Sequence, residues 1–199
     1  MGLTLAQFAL TTGASNSDAA KYHEFALEAM DRFHIAAPEQ IAAFCATLGI
    51  ESMHLTKMEE DLYYKDPERL AKIFRSRFDL DGDKVISPEE IAAAAPYCRN
   101  PKGLSMRLYN GFHGRGGIQL TWEKNYKLHG DRLGFDYVSK PDLLIQPQHA
   151  MLSAGSYWDL NDCNSVAEDM RAVTLKVNGP ALMHLKERTA LYKKALTHL

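Results

Sequence analysis

Apolar residues recur along most of this chain at the three-and-four spacing of amphipathic helices, while period-two alternation is scarce. Tyr22, Phe25, Ala26, Ala29, Met30 and Phe33 predict a helix with Ser17 as its cap. A second helix opens at Pro38, whose fixed φ suits the first helical position, and carries Ile41, Phe44, Cys45 and Leu48 on one face. Two more follow late in the chain. Pro147, Ala150, Met151, Ala154, Tyr157 and Trp158 mark one, and Leu182, Leu185, Thr189, Tyr192 and Leu196 the other. Shorter helices are expected at about 67–76, 88–96 and 101–109, the last two flanking the break at Arg99-Asn100-Pro101. Only Leu55–Tyr64 and Gly117–Thr121 carry strand signals, both short.

The 199 residues suffice for one domain, or two small lobes around a shared cleft. With 23 basic and 25 acidic residues the charge is balanced, which argues against nucleic acid or an anionic membrane as the main partner. The N-terminal segment lacks a basic stretch followed by an unbroken apolar run, so no signal peptide is read. No stretch approaches the roughly 18 apolar residues of a bilayer span, so no membrane anchor is expected. Cys45, Cys98 and Cys163 are odd in number and isolated, which disfavours a disulfide framework or zinc knuckle. Eight histidines form no HExxH pattern, so a catalytic transition metal is not expected.

Extending the apolar stripe of the second helix three residues beyond Leu48 lands on Glu51. A carboxyl on the buried side of a helix end is partly desolvated, which suits it to donate a proton near neutral pH. Glu60 follows nine residues later; on one continuous helix it would face the opposite side, so a shared site requires the chain to turn between the two. Gly49 and the polar stretch Ser52–Lys57 permit that turn. Two carboxyls on separate elements, roughly 6.5–9.5 Å apart, can cleave a glycosidic bond with inversion, one protonating the leaving oxygen and the other activating water. Spacing alone favours a plainer account, with Glu51 paired to an arginine and Glu59-Glu60-Asp61 forming a solvated acidic face.

The strip Gly111–Tyr126 changes that balance, because glycines admit a close ligand and the residues after them interleave hydrogen-bonding side chains with aromatics. IAAFCATLGIES, then EDLYY, GRGGIQLTWEKNY, and VTLKVNG with a downstream ER together resemble the family 19 chitinases, and especially their phage endolysin relatives. LTLAQFALTTGAS and PDLLIQPQHAMLSAGSYW also look like this family, so the resemblance runs nearly the whole length. It implies a mainly α, lysozyme-like α+β fold in a single catalytic domain over 1–199, two-lobed, with a cleft and at most a small β-hairpin region.

Carried over by position, the resemblance implies Glu51 as general acid, Glu60 as general base and Thr121 as the hydroxyl that helps hold the attacking water. Gln119 and Asn125 match positions that bind sugar or order the site, and Tyr126 accompanies them. Asn178 and Arg188 match cleft-lining positions, with Arg188 expected to hold Glu60 ionised. Arg115 is open between a site role and bracing its own loop, and Trp122 between cleft wall and core. Three departures bear on cleft shape and substrate length. Ile50 stands where the family often has histidine, Ser52-Met53-His54-Leu55 replaces a serine-glycine-glycine-aromatic turn, and the loop before GRG is short.

Asp79–Glu90 reads as a twelve-residue calcium loop resembling an EF-hand. Asp79, Asp81 and Asp83 supply oxygens at positions 1, 3 and 5, Val85 a backbone carbonyl at 7, Ser87 a polar residue at 9 and Glu90 a carboxylate at 12. Lys84 stands where glycine normally makes the sharp turn, at a cost of about 1 kcal/mol if φ is positive. Ser87-Pro88-Glu89-Glu90 is equally a capping box with proline at the first helical position, which is compatible with an EF-hand. The ion is expected to be structural, with no cofactor for the chemistry itself.

The expected protein is therefore a phage-type endolysin that cleaves β-1,4 bonds between amino sugars of peptidoglycan strands. It is expected to act as a monomer, residing in the host cytoplasm until a separate membrane-permeabilising protein releases it to the wall. A chitinase of the same fold and a calcium-dependent wall-binding module without catalysis are the alternatives. Replacing Glu51 with Gln is expected to abolish turnover and leave the melting temperature largely intact.

Overall fold

The helices expected from periodicity form, each with a local reason for its start. A computed structural model describes residues 2–199, so Met1 of the expected 1–199 domain lies outside the described residues. In chain order the α-helices are α1 (Leu5–Thr12), α2 (Asn16–Arg32), α3 (Pro38–Glu51), α4 (Pro67–Ile73), α5 (Arg75–Phe78), α6 (Pro88–Ala94), α7 (Pro101–Tyr109), α8 (Glu123–Leu133), α9 (Pro147–Leu160), α10 (Met170–Asn178) and α11 (Leu185–Leu196). Proline opens α3, α4, α6, α7 and α9, where its missing N–H costs no intrahelical bond. The cap of α2 is Ser15, whose hydroxyl accepts from the Asp18 N–H; Ser17 lies inside the helix. The last helix starts at Leu185, because Leu182 and His184 both adopt left-handed backbone that α-helix excludes.

The architecture is mainly helical. Neither expected strand forms: among the described residues Leu55–Tyr64 and Gly117–Thr121 meet only through the isolated bridges Glu59–Arg115 and Arg115–Leu120. The turn after α3 explains part of this, since Met53, His54 and Leu55 have φ of 49°, 57° and 64° in succession. Such left-handed residues reverse the chain, and the Ser52 side chain braces the reversal by donating to the Leu48 carbonyl and accepting from the Leu55 N–H.

Two apolar cores result. The larger joins α1, α2, α3, α8, α9, α10 and α11 around Phe8, Phe44, Leu48, Tyr126 and Trp158. The smaller joins α4 to α7 around Leu62, Leu70, Phe78, Leu104 and Leu108. Helix α3 runs through the larger lobe, packed on α1 and α11. Gly49 makes that packing possible, because a side chain there would strike the Thr12 carbonyl and Leu191. The chain crosses from one core to the other between Met58, buried in the larger, and Leu62, buried in the smaller.

Candidate active site

Glu51 is the last residue of α3 and keeps 14% of its side-chain surface exposed. Arg188 of α11, fully buried, donates through Nη2 to Glu51 Oε1. Asn178, at the end of α10, donates to the same oxygen at 3.3 Å and accepts from Arg188 Nη1 at 2.9 Å. Among the described residues Oε2 of Glu51 accepts no hydrogen bond. Burial pushes the Arg188 guanidinium below its usual range, and the adjacent Glu51 opposes that shift. The arginine thus pairs with Glu51 and not with Glu60, contrary to the expectation from sequence. Its buried position also removes it from direct contact with a ligand.

Glu60 lies on the crossing between the lobes, half-buried. Tyr109, the last residue of α7, donates to Oε1 at 2.9 Å, and the Gly114 N–H donates to Oε2 at 3.2 Å. The Glu60 N–H returns a bond to the Gly114 carbonyl at 2.8 Å, so carboxylate and backbone are both fixed to the glycine strip. Gly114 is pressed between Glu60 and the side chains of Gln119 and Thr121; a Cβ there would lie 2.9 Å from Gln119 Oε1 and 3.5 Å from Thr121 Oγ1. Thr121 Oγ1 donates to the Gln119 carbonyl at 2.9 Å, which leaves its lone pairs able to accept.

Several other residues order the strip instead of facing a ligand. Gln119 donates to the Gly116 carbonyl at 3.1 Å and Asn125 to the Thr121 carbonyl at 2.8 Å. Tyr126, expected at the sugar, is fully buried; its hydroxyl donates to the His113 carbonyl at 2.5 Å, and burial pushes its phenol up to about 12. Arg115 braces its own loop through the Gly111 carbonyl at 3.2 Å and the Tyr126 hydroxyl at 3.0 Å, and pairs with Glu59 and Asp142, each at 3.3 Å. Trp122 is 40% exposed, which makes it wall and not core.

A cavity of about 710 Å³ adjoins Glu60. Glu59, Asp61, Lys102, Arg115 and Asp142 line it, with Ser105, Met106 and Tyr63 also on its wall. Glu51, Gln119, Thr121, Asn125 and Asn178 are not part of that wall, so the cavity represents the Glu60 side of the cleft. Glu59 is not the freely solvated group that spacing suggests. His113 Nε2 sits 2.8 Å from it, and His113 Nδ1 lies 2.6 Å from Ser105 Oγ, linking Glu59 to α7. Tyr109, Ser105 and His113 have no periodic or motif signal; only the fold brings α7 against the strip.

The acidic loop follows α5. One carboxylate oxygen from each of Asp79, Asp81 and Asp83 can be chosen so that the three lie within 4.8 Å of one another. Asp79 accepts from the Gly82 and Lys84 N–H groups, and Asp83 from that of Val85. Buried Glu90 accepts from the Leu80 and Ser87 N–H groups and so closes the loop. Lys84 has φ of 66°, the strained conformation that glycine would adopt more readily.

Comparison with known proteins points the same way as the motifs. The chitinase class I family model of glycoside hydrolase family 19 matches residues 85–167, which include the glycine strip and α9. Residues 85–167 are thus similar to glycoside hydrolase family 19. Chitinase C from Streptomyces griseus superposes on this chain with a TM-score of 0.64 at 18% identity, covering 98% of this chain and 91% of that one. That likeness extends to the lysozyme-like helical fold. An endochitinase of Arabidopsis thaliana is 31% identical over 105 residues, 52% of this chain and 37% of its own length. A second endochitinase of that plant is 29% identical over 146 residues, 73% of this chain and 45% of its own. The chain thus spans less than half the length of these curated relatives.

Proposed function

We propose that this chain is an inverting glycoside hydrolase that cuts β-1,4 bonds between the amino sugars of peptidoglycan, as an endolysin does. The observation that carries the hydrolase reading is the separate anchoring of two carboxyls. Glu51 is gripped by α10 and α11 of the larger lobe, and Glu60 is gripped by Tyr109 of the smaller. Arg188 and Asn178 occupy Oε1 of Glu51, which leaves Oε2 to carry the proton to the leaving oxygen. Glu60 accepts at both oxygens, an arrangement suited to an ionised carboxylate. It takes a proton from the water as that water adds to the anomeric carbon from the opposite face, with Thr121 Oγ1 accepting the water's second hydrogen. The glycosidic bond breaks, the leaving oxygen receives the Glu51 proton, and configuration at the anomeric carbon inverts.

The charged cavity beside Glu60 supports peptidoglycan over chitin. Chitin is an uncharged polymer, whereas peptidoglycan strands bear carboxylates and amines that Lys102, Glu59, Asp61 and Asp142 complement. The chitinase reading has its own support, since the matched plant relatives are named endochitinases. Mass spectrometry of products from purified peptidoglycan and from chitin oligomers separates the two. Reducing ends from peptidoglycan are expected. Release from chitin alone favours the chitinase, and pelleting with walls without release favours the binding module. No helix among the described residues is long and apolar enough to cross a membrane, and delivery to the wall is assigned to a separate membrane-permeabilising protein.

The acidic loop is assigned to a structural calcium ion. The donor set suits a hard cation: three converging carboxylates, Glu90 at the loop's end, and a left-handed sixth position despite its lysine. Binding to the folded state alone raises the melting temperature with calcium concentration. That rise is expected in the wild type and absent in D79A/D81A; an equal rise in both removes the ion from this loop.

A further inference from the structure

Glu60 is tied to the smaller lobe by a single side chain, and that side chain heads a stack reaching the far side of the lobe. Tyr109 Oη donates to Glu60 Oε1 at 2.9 Å while its ring meets Trp122 edge-on, with centroids 5.2 Å apart. Trp122 precedes α8 with φ of 77°, an unfavourable conformation for a bulky residue. It is held there by its N–H bond to the Phe112 carbonyl at 2.8 Å and by its own carbonyl, which accepts from Asn125 and Tyr126. On α5, the Arg77 guanidinium sits 5.8 Å from the Trp122 ring centroid, and Arg107 of α7 donates to the Arg77 carbonyl at 3.1 Å. Arg77, Trp122, Tyr109 and Glu60 therefore form one continuous column running from α5 through the start of α8 and the end of α7 to the crossing segment.

We propose that Tyr109 is a positioning residue for the base Glu60, and that Arg77 and Trp122 hold it so that the base is aligned only when the two lobes are packed as seen here. This rests on the reading of Glu60 as general base. A base must sit within about 3 Å of the proton it removes, so a carboxylate on an irregular segment needs a rigid donor to fix its rotation. The Gly114 N–H fixes one oxygen and Tyr109 the other. The phenol is pushed above its ordinary range by burial and by the Glu60 charge, so it remains a donor throughout the working pH range. The other titratable or charged groups around Glu60 are Glu59 and Asp61 on its own segment, Tyr64 beyond them, Lys102 on α7, His113 and Arg115 on the strip and Asp142 before α9, with Arg77 on α5 acting on Tyr109. None changes in a Tyr109→Phe variant, which removes one neutral donor and preserves the ring.

The test is the pH dependence of kcat and KM for wild type, Y109F, R77A and E60Q on the polymer that the wild type cleaves, with melting curves to confirm folding. A carboxylate that loses a donor is protonated more readily, so the acidic limb of kcat in Y109F is expected to move up by about 1 pH unit. kcat at the optimum is expected to fall about tenfold with KM unchanged. R77A is expected to move the limb the same way by less. A sugar-contact role for Tyr109 raises KM and leaves the limb in place, which overturns the inference, as does a Y109F profile identical to wild type. An R77A profile identical to wild type removes the column and leaves the tyrosine alone. E60Q at wild-type kcat, or a wild type inactive on both polymers, contradicts the reading of Glu60 itself and this inference with it.

Discussion

Removing the guanidinium of Arg188 tests the pairing beneath Glu51. Arg188 has no exposed surface, its Nη1 and Nη2 are bonded to Asn178 and Glu51, and its Nε has no partner. In R188M the Glu51 carboxylate stays largely buried without its cation. Breaking a buried pair from one side costs about 3–5 kcal/mol, and the 14% exposure of Glu51 argues for the lower end. For a domain of this size that is a fall of about 6–12 °C in melting temperature. E51Q strands the cation instead, but Gln retains an acceptor oxygen, so a loss of about 2 kcal/mol is expected. The buried arginine therefore reverses the expectation, read from Glu51 alone, that E51Q melts like wild type. The double variant strands neither charge and should lose at least about 2 kcal/mol less than the sum of the singles. Denaturation of the four proteins followed by circular dichroism completes the cycle. Additivity within about 0.5 kcal/mol refutes the pairing.

Other perturbations probe the frame. G49A drives a methyl into the Thr12 carbonyl and Leu191 and should destabilise the fold by about 3 kcal/mol or more, read as a lowered midpoint in urea. K84G relieves a left-handed lysine on an exposed loop and should raise the melting temperature slightly, the net of about 1–2 kcal/mol of relieved strain and 0.5–1 kcal/mol of glycine entropy. Burial holds the His129 imidazole down at about 4, with Ser156 hydrogen-bonded to it. Its contribution is therefore intact above pH 6.5 and is lost as pH falls from there to 4, about 3 kcal/mol in all. H129Q, which still offers Ser156 an acceptor, should flatten stability across that interval; an unchanged slope removes His129 as its source.

Much of the helical frame is visible in the chain because its starts are marked locally. Proline opens α3, α7 and α9 where sequence places them, and the apolar spacing on α2 and α9 matches their buried faces. Two helices that periodicity passes over hide part of their inner faces in residues not read as apolar. Helix α8 buries Tyr126, His129, Gly130 and Leu133, and α1 buries Thr11 and Thr12 beside Phe8 and Ala9. Leu55–Tyr64 has no period-two alternation, its apolar residues falling at Leu55, Met58 and Leu62, and only isolated bridges form. At the site, Glu51 and Glu60 stand out by motif, whereas their partners do not. Arg188 is 137 residues from Glu51 and Tyr109 is 49 from Glu60, separations at which no spacing rule operates. Tyr126 shows the converse, since a motif position near a ligand strip is no guide to which way its ring turns.

The central claim is inverting hydrolysis by Glu51 and Glu60, and the anomer first released tests it most directly. Proton NMR recorded during the first minutes of peptidoglycan digestion, at a temperature where E51Q remains folded, should show new reducing ends in the α configuration with wild type and none with E51Q. Initial release of the β anomer, or release by E51Q at the wild-type rate, contradicts the account.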